Sequence, residues 1–330
     1  MSARFPDVET VRSALSLALR APSVHNSQPW LWRVGDESLH LYVNSDLHLR
    51  HSDPDARDLT LSCGAALNHC AIAFAALGWQ SKIRRFPNPA DRNHLAAVEL
   101  NRYTATEVDI ALAAAIPRRR TDRRRYSSWP VPLADLGLMG ARAARAGVML
   151  RRIDALDDLK RVVADAAWRH AADSAYLTEV TTWSGRHAST AGVPARNIPN
   201  PESAAVSLAR SFAGGTLAET PDGASPQDHA MVVALGTADD DDLSRLRAGE
   251  ATSLVLLTAT ALGLVSCPIT EPLEIPETRE TVRTDVLGED GFPQMLLRIG
   301  WAPVNSDPLP ATPRRELAEV VARLHNSRPD

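Results

Sequence analysis

Two long apolar segments with the same pattern, 185 residues apart, constrain this chain more than any other feature. DLTLSCGAALNHCAIAFAALGW, from Asp58, lies over LSRLRAGEATSLVLLTATALGL, from Leu243, without a gap. Leu61 falls on Leu246, Gly64 on Gly249, Ala66 on Ala251, Leu77 on Leu262 and Gly78 on Gly263. Each segment is apolar nearly all round, the pattern of a helix covered on every side. Each follows an acidic turn, Asp53-Pro-Asp55 or Asp239 to Asp242, that supplies helix-starting carboxylates and complements the positive end of the helix dipole. Each precedes a strand-like run, Leu95 to Leu100 or Met295 to Ile299. Two such helices predict an α+β chain of two pseudo-symmetric halves, 1–112 and 113–330, with mixed sheets around two central buried helices.

Within the first half the pattern predicts a helix from about Val8 to Leu19 and a proline-flanked loop. A hairpin follows, Trp30 to Val34 and Leu39 to Val43 about a turn at Gly35 to Ser38, then the central helix and a closing strand. The second half opens near Ile116. From about Gly185 to Gln227 the composition shifts to Gly, Ala, Ser, Pro and Thr. An irregular insertion of that length in a compact fold is expected to be functional, as a lid is.

The 330 residues carry 36 Lys+Arg against 40 Asp+Glu, a formal charge of −4, which argues against nucleic acid as the main partner. Acidic residues near the N-terminus do not fit a secretory leader, and the apolar runs are shorter than a membrane span needs. Three cysteines without a C-x-x-C fit a reducing cytoplasm; Cys63 and Cys70, one above the other on a helix, are expected to pack as small apolar residues rather than hold metal. The sequence has no G-x-S-x-G, no phosphate loop of P-loop type, no G-x-G-x-x-G after a strand and no H-E-x-x-H.

Three polar clusters remain. In Ala21 to Trp30, prolines bracket Ser23, His25, Asn26 and Gln28, which reads either as a rigid set of hydrogen-bonding groups or as a polar turn before the hairpin. Arg118 to Arg125 holds six arginines in eight residues. It reads as a nucleic-acid patch lacking aromatics, as a solvated charge run, or as an anion site in which arginine forks meet phosphate and Thr121 donates one more bond. Ala311-Thr-Pro-Arg-Arg315 could close on the same anion.

Together these clusters resemble the FMN-dependent nitroreductases. Pro22-Ser-Val-His-Asn-Ser-Gln-Pro-Trp30 is similar to their P-S-x-x-N-x-Q-P-W signature, and Arg119-Arg-Thr-Asp-Arg123 to their R-x-[ST]-x-[RK] phosphate motif. Leu262 to Pro272 resembles the segment whose backbone N–H faces flavin N5, which carries onto Thr270; Pro310 to Arg315, with Arg314 and Arg315, resembles the C-terminal phosphate clamp. The resemblance implies a nitroreductase-like fold binding FMN. Arg119, Arg123 and Arg315 would hold the phosphate and Thr121 would donate to it. Ser23, Asn26 and Gln28, with His25 beside them, would meet the flavin's polar edge or ribityl chain.

In ordinary family members the arginine motif opens the chain and the loop follows, and the flavin sits between two subunits. Here the loop lies in the first half and the arginine motif opens the second, an order similar to the Acg subfamily of actinobacterial dormancy-associated nitroreductase-like proteins. The implied history is a tandem duplication that places both subunits in one chain. One FMN per chain would then bind, because the complementary pair of motifs is missing, and no homodimer would be required, because the interface is already internal. The implied activity is hydride transfer from NAD(P)H to nitroaromatic or quinone-like acceptors through the flavin, with no obligatory protein acid or base. The other expectation is a flavin-holding protein whose site the insertion closes.

Overall fold

Asp7 accepts a hydrogen bond from the Thr10 N–H (2.8 Å) and so starts the first helix, α1 (Val8–Ala18). The computed structural model describes residues 5–186, 189–199, 208, 210, 212, 215–217 and 228–324, so much of the expected lid lies outside the described residues. The hairpin forms as its alternation requires: β1 (Trp30–Val34) pairs antiparallel with β2 (Ser38–Val43), Trp32 opposite Leu41. The first central helix, α2 (Arg57–Ala76), starts at the acidic turn; Asp53 accepts from the N–H groups of Asp58 (3.0 Å) and Leu59 (2.8 Å). After it come β3 (Trp79–Arg85), β4 (His94–Arg102) and α3 (Glu107–Ala115), the last with a Thr106/Asp109 capping box.

The second half runs α4 (Leu133–Arg145), β5 (Met149–Arg152), α5 (Leu156–Ala171) and α6 (Ser174–Trp183), then a short parallel pair, β6 (Ser184–Arg186) and β7 (Val193–Pro194). It continues with β8 (Met231–Thr237) and the second central helix, α7 (Asp242–Ala261), whose cap Asp241 accepts from the Ser244 N–H (2.7 Å). β9 (Val265–Ile269), α8 (Glu271–Glu274), α9 (Pro276–Thr281) and β10 (Phe292–Gly300) follow; α10 (Leu317–Val320) and β11 (Val321–Arg323) end the described chain.

The two larger sheets share one order. The first runs β11-β1-β2-β4-β3 and the second β5-β8-β10-β9. Taken in chain order, the four strands of each half occupy the same places, and each neighbouring pair of these is antiparallel. The first sheet is mixed only because β11 lies parallel beside β1, Trp32 opposite Val321. That return of the C-terminal chain draws Ala311 to Arg315 past the proline-bracketed loop.

At the centre, α2 and α7 touch backbone to backbone. A Cβ built on Gly64 would lie 2.2 Å from the Leu246 carbonyl oxygen, and one on Gly249 would lie 2.1 Å from that of Leu61. The two contacts exchange under the 185-residue offset, the mark of an isologous interface about a two-fold axis. Glycine is required at both positions because any side chain would drive the helices apart. Two large cores flank the crossing, one built on Trp30, Trp32, Phe74 and Trp79 and one on Met139, Val255, Leu256 and Leu297. Cys63 and Cys70 are wholly buried in the first. Arg57–Ala76 is long and apolar enough to cross a membrane, but 78% of its most apolar stretch is covered by the rest of the protein.

Candidate functional site

The loop between α1 and β1 is held in an uncommon backbone. His25 (φ 46°), Asn26 (φ 56°) and Gln28 (φ 56°) all lie in the left-handed region, which non-glycine residues visit only when surrounding contacts fix them. The fixing contacts are visible. The Ser23 hydroxyl accepts from the Gln28 N–H (3.0 Å), and Asn26 Nδ2 donates to the carbonyls of Gly192 (3.1 Å) and Pro313 (3.2 Å). Gln28 Nε2 donates to the Thr190 carbonyl (2.8 Å), and its Oε1 accepts from the Arg315 N–H (2.9 Å).

This loop walls one side of a cavity at the junction of the halves. Pro22 to His25 face Asp58, Leu61, Ser62 and Ala65 of α2 and Gly249 and Thr252 of α7. Thr121 and Arg123, the end of β9 with Cys267 to Glu271, and Met295 complete the wall, together with Arg210 and Phe212 from the insertion. Thr121 is placed there by a parallel bridge to Ser266.

A smaller compartment lies where Arg20, Ile116, Arg119, Arg120, Thr312 and Arg314 meet. Arg314 Nη1 and Nη2 donate to the carbonyls of Thr312, Pro313, Arg20 and Ala21, and Arg120 to those of Pro117, Arg119 and Leu309, but other N–H groups there are not compensated. Arg119 Nε and Nη1, Arg20 Nε and Arg314 Nε are buried without hydrogen-bond partners, and the described residues put no carboxylate on the wall. Burial, aided by the neighbouring cations, lowers Arg119 to about 10 and Arg314 to about 9. Buried guanidinium N–H groups left without an acceptor beside other cations are what an anion would satisfy. Thr121 on the large cavity is two residues from Arg119, so about 7 Å of extended chain joins the two compartments.

An acidic cluster lies beside the large cavity, with Asp58 on its wall. Burial pushes the carboxyls of Asp53, Asp58 and Glu274 up to about 7, and mutual repulsion adds to it. Arg210 crosses from the insertion to pair with Glu274 and donates to the Tyr176 hydroxyl and to Thr270 Oγ1 (3.3 Å). It also reaches His25 Nε2 (3.4 Å). Burial opposes ionisation of Glu271, but His170 and Arg210 outweigh it and hold that group below its ordinary value. Burial keeps His25 well below the ordinary imidazole value, and Arg210 and Arg123 reinforce this.

The sequence-selected residues thus divide. Ser23, His25, Thr121, Arg123 and Thr270 meet at the large cavity; Arg119 and Arg314 meet at the small one. Arg123 Nη1 bonds the Asn197 carbonyl (3.2 Å) and lies over the Phe212 ring (5.2 Å). Asn26, Gln28 and the Arg315 backbone instead tie the loop to the insertion and the C-terminal segment. The sequence reading did not select Arg20, Asp58, Arg210, Phe212, Glu271 or Glu274. Only Asp58 carried a signal, its place in an acidic helix start, and that signal reads as capping.

No family model matches the chain. A protein of Mycobacterium tuberculosis H37Rv named "Putative NAD(P)H nitroreductase Rv3131" is 59% identical over 321 residues, 97% of this chain and 93% of that one. Another from the same strain, "Putative NAD(P)H nitroreductase acg", is 36% identical over 324 residues, 94% of this chain and 95% of that one. Among solved structures, an FMN-bound nitroreductase of Desulfitobacterium hafniense covers 65% of this chain and 98% of its own, at 11% identity and a TM-score of 0.42. An FMN-dependent nitroreductase of Mycobacterium smegmatis in complex with NADPH covers 67% and 100%, at 15% identity and a TM-score of 0.37.

Proposed function

Since the chain belongs to the family of NAD(P)H nitroreductases that includes Acg, we propose that it binds one FMN at the junction of its halves and passes hydride from NAD(P)H to nitroaromatic or quinone-like acceptors. The observation that carries this reading is the pairing of the two compartments. A small one lined by unsatisfied arginines suits a phosphate, and a large one beside it suits a planar ring. The residues present fit FMN on that ground. The bound isoalloxazine would supply the redox chemistry, with hydride entering and leaving at N5.

In this reading Arg119, Arg314 and Arg20 hold the phosphate, which shifts the clamp from Arg315 to its neighbour. Thr121, Arg123 and Ser23 serve the ring's polar edge, and the Thr270 N–H faces N5. Asn26 and Gln28 act indirectly by fixing the strained loop. The halves are residues 1–112 and 113–330, and the shared strand order with the exchanged glycine contacts supports a tandem duplication. Both walls of the site then come from one chain, so a monomer suffices. Three free, buried cysteines support a reducing, cytoplasmic setting.

A second reading is a flavin-holding protein with little turnover. Arg210 and Phe212 favour it, because residues of the insertion wall the cavity and Arg210 is anchored there by an ion pair. Mixing the purified protein anaerobically with NAD(P)H while following flavin absorbance, beside a dithionite control, separates the two. Bleaching by both reductants is the expected result; bleaching by dithionite alone would favour the holder, and a colourless protein would remove both readings.

A further inference from the structure

Given the flavoprotein reading, we propose that Asp58 is the acid that delivers the proton consumed when an electron acceptor is reduced in the large cavity. Hydride brings both electrons and one hydrogen to the acceptor. A quinone then needs one proton on oxygen to become hydroquinone; a nitro group needs one to lose water, its N–O bond breaking, and leave a nitroso group. The cavity wall must supply that proton if bulk water is shut out.

Elimination among the titratable lining residues leaves Asp58. Arg123 and Arg210 do not give up protons near neutral pH. Burial pushes the Cys267 thiol above its ordinary range, which makes it a poor acid. His25 is neutral, and its Nε2 faces the Arg210 Nη1 donor, so it has no spare acidic proton. Glu271 is held ionised beside His170 and Arg210. Asp58 differs in its surroundings: it is 4% exposed, it lines the cavity, and its Oδ2 is buried without a hydrogen-bond partner. A bare carboxylate oxygen there is costly, whereas a protonated carboxyl is not.

The neighbours also help to keep Asp58 protonated. Asp53 lies directly behind it, accepting the N–H of Asp58 itself, and Glu274 approaches from α8. Both repel a negative charge on Asp58, while Arg57, Arg210 and Arg279 oppose them. Desolvation is the largest influence on all three carboxyls and disfavours their charged forms.

The test uses the FMN-loaded protein, Asp58→Asn and Asp53→Asn. Each is reduced with dithionite, mixed with menadione in a stopped-flow instrument and followed from about pH 5.5 to about 9. The parent rate should fall as pH rises through about 7, as the acid empties. Asp58→Asn should be slower by roughly a hundredfold at neutral pH and lack that limb. Asp53→Asn, which removes a repelling charge, should move the fall to lower pH. Independently of turnover, the Asp58 side-chain carbon in ¹³C-aspartate-labelled protein, assigned by its loss in Asp58→Asn, should titrate near neutrality. If Asp58→Asn does not fold, the Asp53→Asn shift decides. A parent-like profile in Asp58→Asn, no shift in Asp53→Asn, or titration in the ordinary aspartate range would overturn the proposal. A protein that takes up no FMN removes the flavoprotein reading and the donor role together; oxidation by menadione that is indifferent to Asp58 removes the donor role alone.

Discussion

Ala65 and Thr270 face the large cavity, whereas the residues 185 positions from them, Glu250 and Arg85, meet each other. The second pair is a bidentate ion pair, 2.6 and 2.7 Å, with the Glu250 side chain 8% exposed. One location is left open by a methyl and a small hydroxyl side chain; its counterpart is filled by two of the bulkiest charged ones. Asp58 in the open location likewise corresponds to Leu243. The backbone is nearly symmetric and the side chains are not. In the proposed reading the fold would offer two related places for a ligand, and local volume and charge would leave one of them usable.

The largest expected effect concerns what the two locations share. Gly64→Ala and Gly249→Ala should each cost about 3 kcal/mol or more, since each new methyl strikes a backbone carbonyl rather than a movable side chain. Urea unfolding checks this, and a severe cost at one glycine beside a mild one at the other would break the symmetry argument.

Next comes what fills the closed location. Glu250→Ala strands Arg85, a quarter exposed, and should cost about 2–3 kcal/mol, less than a fully buried pair would. Replacing both, Arg85→Thr with Glu250→Ala, gives that location the residue types of the open one. It should be milder than the single change because no lone charge remains. The double variant should still bind a single FMN, since the arginine compartment of Arg20, Arg119 and Arg314 is the one proposed to hold the phosphate; a second equivalent of flavin would show that volume alone makes a site.

Arg119→Ala removes a buried donor from the small compartment. An arginine–phosphate contact out of water is worth ~1.5–3 kcal/mol, so FMN affinity should drop roughly ten- to a hundredfold. Titration of the flavin-free protein measures it. The same change at Arg123, whose guanidinium leans on Phe212 and the Asn197 carbonyl, should cost less. Equal losses would return Arg123 to the phosphate.

The smallest effect separates Asp58 from Leu243 by pH. The folded chain holds the Asp58 proton up to about 7, above the ordinary carboxylate value, so its contribution to stability is full below the unfolded pKa and lost as pH rises through the folded one. Asp58→Asn should therefore gain stability relative to the parent between about pH 6 and about pH 8, whereas Leu243→Ala should cost the same at both. Comparing variants at each pH cancels the buried histidines, which shift in the opposite direction. A pH-independent difference for Asp58→Asn would show that its carboxyl titrates normally.

The scaffold was legible in the sequence because its determinants are local. Apolar positions all round a helix, a carboxylate before it, glycines in register and an alternating hairpin each mark the element in which they sit. The site was legible only where a motif is contiguous, as in Ser23 to Gln28 and Arg119 to Arg123. Within those motifs, residue type did not reveal which side chains reach a cavity: Asn26 and Gln28 face the insertion and the C-terminal segment, and Arg314 rather than Arg315 joins Arg119. Asp53, Asp58 and Glu274 owe their raised pKa values first to burial, with repulsion among them added, and Arg210 sits in a stretch whose composition marks a lid-like insertion but no single residue of it. Such features arise from long-range packing and leave no periodic trace.

The asymmetry of the two locations is tested most directly by counting flavin. FMN released from the purified protein, measured against protein concentration on a column that also reports mass, should give one FMN per chain on a monomer. Two FMN per chain, or FMN retained only by a dimer, would contradict the account.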